Sequence, residues 1–306
     1  KQRETMRPSP RNTFAPLNDL AGNATPYFYL APTALVTIVF LIGPTLSVVW
    51  YSFHEWSGIG AKTWIGLANY AAFATDDVLL HSIVVNLLYV VFFSLLPLSI
   101  GLLIAAVGGR VRVPGEKYLR VILLTPQVIT PVALGVLFGW IFSPAFGLLN
   151  SLLDAIGMSN LQQAWLGTRT LAPISVGIVG TWLWVGFATI VFVAGVQKID
   201  ETLYDAAKID GAGAVQQFFA ITAPALVHEF VVVVVVTLIR AFGSAVFGVV
   251  AAITEGSYGT SPISFVAYQR AFVQSQMGYG SAIVVFLMVI MIGLSFGAIY
   301  LGRARG

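Results

Sequence analysis

The sequence contains no cysteine, and Asp, Glu, Lys and Arg together make up only 9% of its 306 residues. Without cysteine there are no disulfides, thiolate metal sites or cysteine nucleophiles. A soluble globular domain carries about 25% charged residues. A chain of this length at 9% charge, with 58% apolar residues, cannot furnish a polar shell. The three histidines, His54, His81 and His228, are scattered at the ends of apolar runs without metal-ligand spacing and read as interfacial. No Asp or Glu lies at the centre of an apolar run, which argues against an intramembrane enzyme. Gly60-Ala61-Lys62-Thr63 lacks the Gly-Lys pair of a phosphate loop, so the chain itself is not expected to bind ATP or any other cofactor. The net charge of +3 is small, and no nucleic-acid partner is expected. An ion-coupled secondary transporter is the rival reading that hydropathy alone leaves open. Such carriers show repeated halves and buried carboxylates, and neither is visible.

What the sequence does have is six long apolar runs, at about 27–53, 81–109, 119–142, 171–196, 230–254 and 281–302. Each reaches the roughly 18–20 residues needed to cross a bilayer. They do not alternate as barrel strands would, so helices satisfying their own backbone groups are the expected form. Residues 1–26 are a polar, basic tail that does not read as a cleavable signal, and 27–302 form one membrane domain. The tail, the connection holding Arg110, Arg112, Lys117 and Arg120, the connection holding Lys198 and Lys208, and Arg303 with Arg305 carry twelve of the 16 Lys and Arg. Positive-inside bias therefore predicts both termini in the cytoplasm of a bacterial cell, with the chain a multi-pass protein of the inner membrane. Pro126 and Pro131 are expected to kink or break the third helix. The spacing of Leu148, Leu149, Leu152, Leu153 and Ile156 predicts a short surface helix in an outer loop.

Few polar or aromatic groups interrupt the runs, so each one matters. Arg240 is the sole Lys or Arg deep inside a run, where such a residue faces a cavity or a partner. Gly243 and Ser244 beside it leave room for a polar solute. Asn86 and Gln127 require partners within the bundle, and both are candidate solute contacts, as is Trp184. Trp140 and Trp182 read as interfacial anchors, and Gly135 with Gly139 as a helix-packing pair.

The fourth connection, at about 197–224, differs from the rest. Glu201–Asp210 favours helix, Gly211 and Gly213 interrupt it, and Val215–Ile221 leads to Pro224. Two short helices meeting at a corner of small residues can enter a groove on a soluble partner. Asp205-Ala206-Ala207, then Gly211, then Ile221-Thr222-Ala223-Pro224 resembles the EAA loop of binding-protein-dependent importer permeases. Asp205 stands where that family has glutamate, and Ala223 where it has leucine. Gly66-Leu67-Ala68-Asn69-Tyr70, Phe146-Gly147-Leu148-Leu149-Asn150, Ile199–Tyr204 and Gly278–Ala282 are similar to the carbohydrate-uptake branch. Within that branch the chain resembles maltose- or glycerol-phosphate-type first permease subunits.

The resemblance implies an all-α membrane protein of six transmembrane helices with a cytoplasmic helix–bend–helix coupling loop. Asp205, Ala206, Ala207, Asp210, Gly211 and Pro224 would engage an ATPase subunit. A second permease, two ATP-binding cassette subunits that bind ATP and Mg, and an extracytoplasmic solute-binding protein would complete the importer. Its cargo would be a sugar-like solute, and membrane lipid would surround it. Arg240 then either lines the solute pathway or pairs with the second permease.

Overall fold

Residues 25–108 and 116–303 are described by a computed structural model. The tail up to residue 24, and Arg110, Arg112 and Arg305 of the basic connections, lie outside the described residues. The chain divides into two units, Lys1–Trp50 and Tyr51–Gly306. In the first, α1 (Thr25–Thr37) passes through a π turn (Ile38–Ile42) into α2 (Gly43–Tyr51). The stretch Tyr29–Tyr51 is apolar and long enough to cross a membrane. Three of its hydroxyls are satisfied locally, with Thr37, Thr45 and Ser47 donating to carbonyls four residues earlier.

The second unit opens with a small antiparallel hairpin, β1 (His54–Glu55) and β2 (Thr63–Trp64), and a helical turn, α3 (Ala68–Ala71). Asn69 ties them together by donating to the carbonyls of Ser52 and His54 at 2.9 and 3.0 Å. This hairpin is a minor departure from the all-α expectation. It buries His54, which the sequence places at the interface.

Next come α4 (Asp77–Val90), a π turn (Val91–Leu95) and α5 (Leu96–Gly108), which form one long span, Asp77–Gly108. A π turn weakens the local hydrogen-bond ladder. Here the Thr181 hydroxyl donates to the Phe92 carbonyl at 2.7 Å from a neighbouring helix. The third run breaks as its prolines predict. α6 (Glu116–Val128) and α7 (Pro131–Ile141) are bent by 103°. Pro131 forces Thr130 into extended backbone, and the Thr130 side chain accepts from the Ala133 N–H at the new N-terminus. The outer loop contains the expected short helix, α8 (Leu148–Ala155).

α9 (Leu171–Val196) is the most buried of the long helices. In lipid there is little hydrophobic force between helices, and close approach depends on small residues. Side chains at Gly177 and Gly180 would collide with the rings of Phe92 and Phe93, and one at Gly186 with the Leu123 carbonyl. These glycines let α4 to α6 pack directly onto α9.

The fourth connection forms α10 (Glu201–Ile209), α11 (Ala214–Gln217), a π turn (Phe218–Thr222) and α12 (Ala223–Ala225). α13 (Val227–Phe242) leaves this segment at 70°. The expected unbroken helix over 230–254 is not formed. α13 ends at Phe242 and α14 (Ser244–Ile253) begins after Gly243. α15 (Ile263–Tyr268), with a π turn at Gln269–Val273, precedes the last span in α16 (Met277–Arg303). Among the described residues, four helices are long and apolar enough to cross a membrane, or six if each bent pair is one span.

Candidate functional site

The break at Gly243 and the one before Pro131 lie close together. α14 packs on α7, and a side chain at Gly135 would strike the Ala252 carbonyl, while one at Gly248 would come within 3.2 Å of the Pro131 ring. Two helix interruptions within apolar segments leave backbone groups that, in a bilayer, protein or a lined cavity must satisfy. Gly243 is required at its break, because a Cβ there would sit 2.7 Å from the Ile239 carbonyl oxygen. That same oxygen accepts the Gly243 N–H at 2.9 Å.

Asn86 closes the other side. Its amide donates to the Ala241 carbonyl at 2.9 Å, and its side-chain oxygen accepts the Ile263 N–H at 2.7 Å. It is fully buried. The structure thus places this candidate solute contact as a brace joining α4, α13 and α15, away from any open surface. A lone buried amide in a helix reads the same in sequence whether it meets solute or backbone.

The other candidates do gather at the breaks. The guanidinium of Arg240, in the last turn of α13, lies 5.0 Å from the centre of the Trp184 ring on α9. The Arg240 side chain is exposed and makes no hydrogen bond or ion pair with any described residue. Trp184 is 9% exposed and its indole N–H has no acceptor. Gln127 lies one turn beyond Leu123, which touches Gly186 of α9, and its amide nitrogen is also buried without a partner. Ser264, next to the residue held by Asn86, has an unpartnered buried hydroxyl too. Gly243 forms the break itself and Ser244 opens α14, exposed. α9 carries no acidic residue. In α13 Glu229 lies about 16 Å along the axis from Arg240 and is paired with Lys198 at 2.9 Å. The site therefore offers donors and positive charge without a carboxylate.

A second polar cluster, absent from the sequence reading, sits where α4 and α16 begin. Asp76 caps α4 by accepting from the Val78 and Leu79 N–H groups. Both its oxygens also accept from one terminal nitrogen of Arg270, at 2.8 and 2.7 Å, and one accepts from the Tyr279 hydroxyl at 2.8 Å. Burial alone would raise the Asp76 carboxyl. The Tyr279 hydroxyl, the Leu79 N–H and the Arg270 charge outweigh it and hold the group below its ordinary range. An open cavity of about 800 Å³ adjoins the cluster, lined also by Glu55, Trp56 and Gln276. An acidic residue immediately before an apolar run was the available signal for the cap.

The fourth connection is a helix–turn–helix whose corner is Gly211. Its φ of +80° lies in the left-handed region that favours glycine. The Ala212 N–H donates to the Ala207 carbonyl at 2.8 Å and the Gly211 N–H to the Lys208 carbonyl at 3.0 Å, a Schellman closure. Asp200 caps the start through the Thr202 N–H and is held below its ordinary range by Thr202. Tyr204 is the anchor, buried with its hydroxyl 2.9 Å from that of Thr222 across the turn. The outer face stays uncovered. Asp205, Ala206, Asp210, Gly211 and Pro224 are exposed and Ala207 half-buried, and Ile209 is 88% exposed beside Leu203, Val215 and Phe219. Among the described residues, Asp205 pairs only with its neighbour Lys208.

Residues 98–303, which include both breaks and this corner, match the family model described as "Binding-protein-dependent transport system inner membrane component". The chain belongs to that family. As a permease it is 38% identical over 274 residues to the "Probable ABC transporter permease protein YurN" of Bacillus subtilis (strain 168), covering 88% of this chain and 93% of that protein. It is 34% identical over 275 residues to the "sn-glycerol-3-phosphate transport system permease protein UgpA" of Brucella abortus, covering 88% and 92%. Its fold is shared with a chain in the crystal structure of a bacterial ABC transporter involved in import of the acidic polysaccharide alginate. That likeness has a TM-score of 0.80 at 22% identity and covers 94% of this permease and 98% of that chain. The permease is therefore a membrane subunit of an ABC importer and not an enzyme, with ATP hydrolysis in a separate subunit. The ion-coupled carrier reading falls.

Proposed function

We propose that this permease forms part of the solute pathway between α9, α13 and the two helix breaks, together with a second permease. In this reading the segment 197–224 docks on an ATP-binding cassette subunit in the cytoplasm, and both chain termini lie on that side. An extracytoplasmic binding protein delivers a sugar, sugar oligomer, polyol or glycerol phosphodiester. The observation that carries the reading is the closed corner at Gly211 with its uncovered apolar face. Tyr204 and Thr222 hold the two arms together, so a push on Ile209 or Val215 is passed as a lever to α13 through the 70° bend. The half-broken spans are the elements able to respond, because their interruption already separates rigid pieces.

The test is ATPase activity of the purified complex in lipid, with and without loaded binding protein. Stimulation by the loaded protein is the expected result. Gly211→Pro, which cannot adopt a positive φ, should abolish ATP-driven uptake while solute binding to the binding protein is unchanged. Normal ATP-coupled uptake by this variant overturns the coupling role of the corner.

A further inference from the structure

Resting on the pathway reading above, we infer that the Gly243 break is an anion-recognition site, so that the transported solute is a sugar or polyol derivative carrying a phosphate or carboxylate. Three observations converge. First, Arg240 stacks on Trp184 but leaves all its N–H donors without a described acceptor. A permanent cation at membrane depth is costly unless it faces a cavity or a partner charge. The guanidinium carbon lies 5.0 Å from the Trp184 ring centre, and a guanidinium whose donors are unengaged can give two parallel hydrogen bonds to a carboxylate or phosphate.

Second, α14 starts directly after the break. The Ser244, Ala245 and Val246 N–H groups have no carbonyl within their own helix, no side chain caps them, and none is bonded elsewhere among the described residues. The ten-residue helix presents the positive end of its dipole there, four to six residues from Arg240. Third, the neighbouring unsatisfied nitrogens, Trp184 Nε1 and Gln127 Nε2, are both donors. Gln127 Oε1 and Ser264 Oγ can also accept from a sugar hydroxyl, so it is the fixed charge of Arg240 that separates an anion from a neutral sugar here. The donors lie on three separate elements, α6, α9 and the α13–α14 junction, so they are not the by-product of a single helix end.

What keeps these charges from collapsing onto the protein is Asn86. By donating to Ala241 it removes one last-turn carbonyl of α13 that Arg240 could otherwise engage. No carboxylate is available on α9, and Glu229 is committed to Lys198. Among the described residues, no carboxylate pairs with the Arg240 charge at this break.

The experiment uses the assembled importer in lipid nanodiscs. Arg240 is labelled with phenylglyoxal, and its modification rate is read by mass spectrometry in the presence of D-glucuronate, glycerol 3-phosphate, or D-glucose. Expected is a labelling rate lowered several-fold by either anion and unmoved by glucose. Equal protection by glucose, or none by any of the three, overturns the anion inference while leaving the importer reading intact. Failure of Arg240 to label at all in the assembled complex overturns both the inference and the placement of Arg240 in the pathway. It would put the guanidinium against the second permease. ATPase stimulation by loaded binding protein, measured on the same sample, shows separately whether the importer reading stands.

As a second readout, Arg240→Lys should retain a substantial part of the wild-type uptake and Arg240→Gln should lose about tenfold to a hundredfold, the value of a charged hydrogen bond. Equal uptake by wild type and Arg240→Gln also overturns the inference.

Discussion

Two arginines of this permease lie beside aromatic rings and differ in everything else. Arg270 is fixed on both oxygens of Asp76, bonded further to Gln274, and sits 5.8 Å from the Tyr279 ring centre. Arg240 rests on Trp184 and has no partner charge among the described residues. The first arrangement is saturated: cation, carboxylate, helix cap and phenol satisfy one another, and the cluster ties the start of α4 to the start of α16. The second is open: among the described residues no group accepts from the Arg240 guanidinium. Arg270 is thus structural, its donors counted off within the chain, whereas those of Arg240 are unengaged among the described residues.

The contrast can be broken in order of expected effect. Arg240→Gln should cost the uptake factor given above yet leave the melting temperature of the purified complex within the scatter of a surface substitution, about 0.5 kcal/mol. A large loss of stability would place Arg240 in the same class as Arg270. Asp76→Asn should do the reverse. Asparagine still caps a helix, so the change isolates the charged contacts, and thermal unfolding should report a loss of about 1.5–3 kcal/mol. Uptake per folded complex should change by less than about twofold.

The smallest effect is in pH. Asp76 is held below its ordinary range in the folded protein, so its contribution is fully present above the unfolded carboxylate value of about 3.9. It is lost as pH falls through the lower folded value. Melting temperature should show no Asp76-dependent change between pH 8 and 5. The difference between wild type and Asp76→Asn should shrink only below about pH 4. A difference that already shrinks at pH 6 would contradict the saturated cluster.

Much of the fold could be read from the sequence, because lipid imposes a simple rule on long apolar runs. The proline pair marked the first break, since Pro131 removes a donor and restricts Thr130. The second break was hidden in an uninterrupted apolar run. Gly243 is one glycine among 30, and only the collision with the Ile239 carbonyl shows why it ends a helix. The candidate pathway residues were chosen as polar or aromatic exceptions, and most of them fall at the breaks. Asn86 instead braces the Gly243 break from a buried position, a role that depends on Ala241 and Ile263, far away in the chain. The Asp76–Arg270–Tyr279 cluster was missed for the same reason. Its members are ordinary loop and end residues until folding joins positions 194 and 203 residues apart. The Gly211 corner was the most legible element, since its turn is closed by neighbours a few residues away.

Asn86 also sets a timetable for biosynthesis. Its acceptor is filled by an N–H that lies 177 residues downstream. At 5–20 residues per second that residue is made about 9–35 seconds later. Until Ala241 and Ile263 are made the nascent chain holds a buried-type amide without its final partners, and once Gly243 has been made its break lacks the Ile263 arm of the brace until that residue follows. A polypeptide released before Ile263 can contain every helix up to α14 and still lack the geometry on which transport depends.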